Sequence, residues 1–109
     1  MHELGITENI VAIVRGHARG QPVTRVAVEI GRLAAVAPEA LRFCFDVCTR
    51  GTELENARLE IIDVPGLRTC RDCGRETEAD DLLAPCPCGS WNTRTTRGTD
   101  LRVKEMEIA

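Results

Sequence analysis

The sequence predicts an α+β fold, a small antiparallel three-stranded sheet covered by two helices, and three observations carry that expectation. Two stretches repeat apolar residues at helical spacing, three alternate them at strand spacing, and a segment of different character separates the last two strands. The chain has 109 residues, enough for one modest core and an elaboration rather than two independent hydrophobic domains. Aromatic residues make up only 3% (Phe43, Phe45 and Trp91), so the core is expected to be built from Val, Ile, Leu and Ala.

The first helix is read from Ile6, Ile10, Ile13, Val14 and His17, which recur at three-and-four spacing. On this face His17 is expected to be a packed core residue. "RGHARGQP" ends the helix, because two glycines weaken it and Pro22 cannot continue it. "VTRVAVEIG" alternates, with Val26, Val28 and Ile30 on one face and Arg25, Ala27 and Glu29 on the other, and reads as a half-buried strand. Pro38 and Glu39 announce a second helix, since a fixed φ and a negative charge both suit a first turn. Its apolar stripe is Leu41, Cys44, Phe45 and Cys48, with both cysteines acting as small core hydrophobes. "RGTELEN" reads as a polar turn, "ARLEIIDVPG" as a second strand, and "DLRVKEMEI" as a third whose apolar phase slips between Val103 and Met106, as at a β-bulge.

Residues 1–65 plus 100–109 are therefore expected to form the α+β domain, and residues 66–99 an inserted module. No stretch approaches the ~20 apolar residues that cross a bilayer, and the first residues lack the order of a secretory signal. The expected location is cytoplasmic, with no membrane partner. A net charge of −3 argues against nucleic acid, whose phosphates are bound by clustered Lys and Arg.

The insertion reads "CRDCGRETEADDLLAPCPCGS": Cys70 and Cys73 as C-x2-C, twelve residues, then Cys86 and Cys88 as C-x-C. Two close thiol pairs at this separation suit a tetrahedral thiolate site, each pair clasping one ion from a tight turn. In a reducing compartment this reading displaces a disulfide scaffold, and it stands ahead of a redox dithiol or an iron site. Zn(II) in a structural role is expected, because four thiolates leave no open position for a substrate. Gly74 and Gly89 follow each pair, where a glycine lets the backbone curl so that N–H groups point at sulfur. Zinc ribbons usually have two residues inside each pair, whereas Pro87 is alone in the second. From Leu67 to Arg97, Arg68, Arg71, Arg75, Arg94 and Arg97 are offset by Asp72, Glu76, Glu78, Asp80 and Asp81, which again disfavours nucleic acid. The segment has few large apolar residues (Leu67, Leu82, Leu83 and Trp91), so it is expected to unfold without the ion.

The chain opens "MHELG". Taken alone, His2 reads as a solvated terminal residue. Its position also allows the Met1 amine, the His2 amide nitrogen and the His2 imidazole to close adjacent chelate rings in one plane, an arrangement that Ni(II) or Cu(II) accepts. Such binding expels protons, so affinity is expected to fall with acidification. Glu3 stands ready to add its amide, a carboxylate, or an orienting hydrogen bond to His2.

"MHELGITENIV", "VAVEIGRLAAVAPEALRFCFDVCTRGT", the four-cysteine module and "LRVKEMEI" together resemble the HypA/HybF family of hydrogenase nickel-incorporation proteins, in the same order over essentially the whole chain. The family's second cysteine pair is most often C-x2-C, and "CPC" departs from it. The resemblance implies a zinc-ribbon-like insertion and a non-enzymatic nickel metallochaperone. It places Ni(II) as transient cargo on Met1, His2 and Glu3, and structural Zn(II) on Cys70, Cys73, Cys86 and Cys88. It further implies as partners a maturation GTPase and the [NiFe]-hydrogenase large-subunit precursor, with the chain a monomer or weak homodimer. The competing expectation is a zinc-ribbon adaptor that recognises protein or RNA and binds no nickel. Neither reading needs a catalytic residue: with only two histidines no Ser/His/Asp set is expected, and no Gly-rich phosphate loop appears.

Overall fold

A computed structural model describes residues 2–109. Along these residues run α1 (His2–Ala18), β1 (Val23–Gly31), α2 (Pro38–Cys48), β2 (Arg58–Val64), β3 (Gly66–Cys70), β4 (Glu76–Ala79), β5 (Thr93–Arg97) and β6 (Leu101–Ile108). The strands form two three-stranded sheets, ordered β2-β1-β6 and β4-β3-β5. Two helices and a three-stranded sheet, with a further cysteine-bearing sheet inserted before β6, give the fold class expected from the sequence. The chain divides into two compact units, one of 2–28, Val36–Ile62 and Arg102–Ala109, the other of Glu29–Ala35 and Asp63–Leu101. Among the described residues no helix is long and apolar enough to cross a membrane.

Hydrogen bonds fix the strand directions. Gly31 N–H donates to Asp100 O at 2.8 Å and Ala109 N–H to Pro22 O at 2.9 Å, so β6 runs antiparallel to β1. β2 runs the other way. Arg32 N–H donates to Val64 O at 2.9 Å where both strands end, and Arg25 reaches Glu60 at 3.0 Å nearer where both begin. The antiparallel expectation thus holds for β6, while β2 lies parallel to β1, because the connection through α2 is long enough to return the chain to the same end. β6 keeps the phase slip seen in the sequence: Leu101, Val103 and Met106 are its half-buried positions, and Val103 and Met106 line the same groove. In the second sheet a register irregularity lies between Leu67 and Arg68, where β3 pairs with β5.

In the first unit α1 buries Thr7, Ile10, Val11, Val14 and Ala18. The stripe is rotated from the expected one. Thr7 takes a core place because its hydroxyl donates to Glu3 O at 2.7 Å, which satisfies the polar atom within its own helix. His17 is exposed rather than packed, beside Ile13, Val103 and Met106 on a groove of about 310 Å³. On α2, Leu41, Cys44 and Phe45 are buried as predicted, and Cys48 is half-buried. Val26, Ala27 and Val28 are all fully buried, so β1 is covered on both faces and not on one. Arg25 explains the second cover: its guanidinium meets Glu60, Glu105 and Glu107 across both flanking strands. Leu54, within the turn read as polar, is fully buried too.

In the second unit three glycines approach one another closely. A Cβ on Gly31 would lie 2.0 Å from Gly98 O, and one on Gly98 would lie 2.5 Å from Gly66 Cα. Gly98 also has φ 90°. Gly98→Ala is expected to destabilise the protein by about 3 kcal/mol, through backbone strain and overlap together. Gly20, with φ 84° but open space around it, isolates the strain, and Gly20→Ala is expected to cost about 1 kcal/mol. Denaturant titration of both variants measures the difference.

Candidate metal centres

Cys70 closes β3, and the turn after it carries Cys73. The turn is set by main-chain bonds: Cys70 N–H donates to Arg75 O and Gly74 N–H to Cys70 O, both at 2.9 Å. The second turn copies the device with one residue fewer. Cys86 N–H donates to Ser90 O at 2.9 Å and Gly89 N–H to Cys86 O at 2.8 Å. Gly74 and Gly89 have φ 74° and 93°, the left-handed curl expected of them. Their N–H groups go to carbonyls rather than to sulfur; the N–H aimed at a sulfur is that of Cys73, 3.5 Å from Cys70 Sγ.

The turns bring all four sulfurs within 4.8 Å of one another. Cys70 Sγ lies 3.7 Å from Cys88 Sγ, and Cys73 Sγ 3.6 Å from Cys86 Sγ. A tetrahedron with zinc–sulfur bonds of ~2.3 Å has edges of about 3.8 Å, so the cluster fits a structural zinc site, and the single-residue spacing around Pro87 still closes it. Cys70 and Cys86 are buried at 2% and 4% exposure, while Cys73 and Cys88 face outward. The two turns are also tied side to side, with Ser90 Oγ donating to Asp72 Oδ2 at 2.5 Å and Arg71 N–H to Asn92 O at 2.8 Å.

The crowded sulfurs do not share one proton affinity. Cys70 is lowered to about 6, chiefly because the Cys73 N–H stabilises its thiolate. Cys86 receives similar help from the Cys88 backbone, but burial and the neighbouring sulfurs outweigh it and push the thiol up to about 12. A cation is what allows four thiolates to coexist at this separation.

At the start of the chain the described residues begin with His2, the first residue of α1; Met1, the expected amine donor, lies outside them. Backbone N–H groups in the first turn of a helix have no intrahelical acceptor, so the His2 and Glu3 amides are not used by α1. His2 is exposed, and its Nε2 stands 3.0 Å from Glu3 Oε2. The same carboxylate accepts the Ala37 N–H at 3.3 Å, just before α2. That hydrogen bond above all holds the Glu3 carboxyl below the usual range. Glu3 therefore links the beginnings of the two helices and fixes the imbalance between the two ring nitrogens of His2: Nε2 is occupied by a carboxylate and Nδ1 is left for another partner.

Sequence reasoning brought the four cysteines together correctly and paired His2 with Glu3. It missed Arg68, a buried cation of β3, because a single arginine in a polar segment carries no periodic signal. It also missed the Ser90–Asp72 tie, which depends on two turns meeting.

Comparison with known proteins agrees with this architecture. A family model described as "Hydrogenase/urease nickel incorporation, metallochaperone, hypA" matches residues 1–108. A hydrogenase maturation factor HypA of Nostoc punctiforme is 55% identical over 108 residues, covering 99% of this chain and 96% of that protein. Among solved structures, one titled "Solution structure of HypA protein" is 25% identical with a TM-score of 0.72, over 100% of this chain and 97% of the other. The Ni metallochaperone HypA from Helicobacter pylori, at 24% identity, matches the fold with a TM-score of 0.69 over 97% of this chain and 96% of that one. With a family model spanning nearly every residue and relatives that retain half the sequence, the chain belongs to the HypA family of hydrogenase and urease nickel-incorporation metallochaperones.

Proposed function

We propose that this protein carries Ni(II) at its amino terminus and delivers it for [NiFe]-hydrogenase maturation, while a structural Zn(II) on Cys70, Cys73, Cys86 and Cys88 holds residues 66–99 in shape. Residues 1–65 plus 100–109 form the nickel-binding part. The observation that carries the reading is the His2–Glu3 contact, in a chain whose family is one of nickel-incorporation proteins. With Nε2 on the Glu3 carboxylate, Nδ1 is the ring nitrogen that closes a six-membered ring with the His2 amide, and the Met1 amine closes a five-membered ring on the other side. A helix N-terminus repels a bare cation. The chelate answers this by losing the His2 amide proton, which brings the ion's charge from 2+ to 1+, and the Glu3 amide is placed to remove the rest.

Four thiolates around zinc leave no position for a substrate, which supports delivery rather than catalysis. The partners that follow are a maturation GTPase and the hydrogenase large-subunit precursor, met in the cytoplasm. Equilibrium dialysis with nickel tests the reading. Protein beginning at Met1 is expected to bind one nickel ion per chain at the terminus. The same chain preceded by Gly-Ser, which turns the amine into an amide, is expected to bind at least about tenfold more weakly, since a donor is lost and not merely reoriented. Equal affinity for the two proteins would refute the terminal chelate.

A further inference from the structure

Arg68 is only 3% exposed, and the zinc site described above makes no use of it. A buried guanidinium is costly unless its charge is compensated. Here Nη1 donates to Ala84 O and Nη2 to Asp81 O, while Nε has no hydrogen-bond partner among the described residues. Main-chain carbonyls solvate a cation but leave its net charge in place. Gly66, Arg68 and Cys70 occupy the alternate buried positions of β3, so Arg68 and Cys70 stand on one face, ~7 Å apart along the strand. The segment that Arg68 grips ends at Ala84, and Pro85 alone separates it from Cys86. One side chain therefore reaches from the strand bearing Cys70 to the approach of Cys86.

We propose that Arg68 is a positioning residue for the four-cysteine centre. Its fork fastens the 81–84 loop to the strand that ends in Cys70, and its charge balances the anionic cage formed when one divalent cation meets four thiolates. The short second pair gives this fastening its purpose. With Pro87 alone between Cys86 and Cys88, that turn has little slack, so the chain entering it has to be placed from outside. Asp81 assists, since its Oδ1 accepts the Leu83 N–H at 2.9 Å and stiffens the same loop. The inference rests on the zinc reading given above.

The test compares zinc-loaded full-length protein with Arg68→Lys and Arg68→Met, reading the rate of zinc transfer to excess chromogenic chelator at neutral pH. Arg68→Met removes fork and charge and is expected to release zinc at least about tenfold faster, the scale of a lost outer partner. Arg68→Lys keeps the charge but spans one carbonyl, so its rate is expected to fall between. Cobalt-loaded samples should keep the thiolate-to-metal absorption of four sulfurs in all three, which separates a displaced approach from a lost ligand. Release from both variants within twofold of the parent overturns the proposal. If Arg68→Met does not fold, a lysine variant within twofold of the parent overturns it equally. A parent protein that takes up no zinc, or keeps its affinity as Cys86→Ser, removes the zinc reading itself and this inference with it.

Discussion

Stripping the metal with a strong chelator is expected to unfold residues 66–99 while leaving α1 and α2 intact. The large apolar side chains of this stretch do not make a core: Leu82, Leu83 and Trp91 are exposed, the last two by 76% and 69%, and the buried hydrophobic residues there are Cys70, Ala79 and Cys86. Two of those three belong to the cysteine cluster that is proposed to hold zinc. Structural zinc contributes roughly 10–16 kcal/mol in small thiolate modules at neutral pH, whereas one fully buried aliphatic side chain contributes about 1.5–3 kcal/mol. The ion is therefore the main stabilising contact of the segment. Limited trypsin digestion reads the result, because Arg71, Arg75, Arg94 and Arg97 flank or lie between the cysteine turns and become cleavable only when the turns open. Helical circular dichroism should change little, since Leu41, Phe45, Ile10 and Val14 remain packed. Cys86→Ser should give the same digest without chelator. An unchanged digest after complete metal removal would count against a zinc-dependent module.

Replacing His2 by alanine is expected to lower nickel affinity by at least about 100-fold, beyond the ~10–100-fold that accompanies loss of a group which only orients a ligand. In the proposed chelate the imidazole is the last donor of the planar set, and without it the amide proton has little reason to leave. Glu3→Gln provides the internal scale. The carboxylate of Glu3 contacts His2 Nε2 and the Ala37 N–H, so its neutral isostere should cost about tenfold, as an orienting group does. Isothermal titration on chains beginning at Met1 distinguishes the two roles. A loss in Glu3→Gln as large as in His2→Ala would make the carboxylate itself a ligand, and an unaffected His2→Ala would place nickel elsewhere.

The elements that the sequence declared were those with a repeating apolar signal. Leu41, Cys44 and Phe45 on α2 and Val26, Val28 and Ile30 on β1 were readable because period alone tells which side of a helix or strand is dry. β4, "ETEA", and β5, "TRTTR", carry no such signal. Apart from Ala79 at the end of β4 their side chains are polar, and they are strands because each pairs with β3. The α1 stripe was misplaced for a related reason. Thr7 is counted as polar by any periodicity argument, yet it is buried once its hydroxyl is satisfied by Glu3 O, and this turns Ile13 and His17 outward.

By itself the sequence determined the chemistry: four thiols in two tight pairs, an imidazole in the second position, and two helices beside a sheet. These follow from short-range rules, because chelate rings, helical turns and strand alternation all span a handful of neighbouring residues. Tertiary structure alone decided that β2 runs parallel to β1, that Glu3 bridges His2 to the head of α2, and that Arg68 lies buried against the approach to Cys86. Each of these joins residues at least sixteen positions apart, and such pairings are set by which surfaces the whole chain can bury together, a quantity no local spacing encodes.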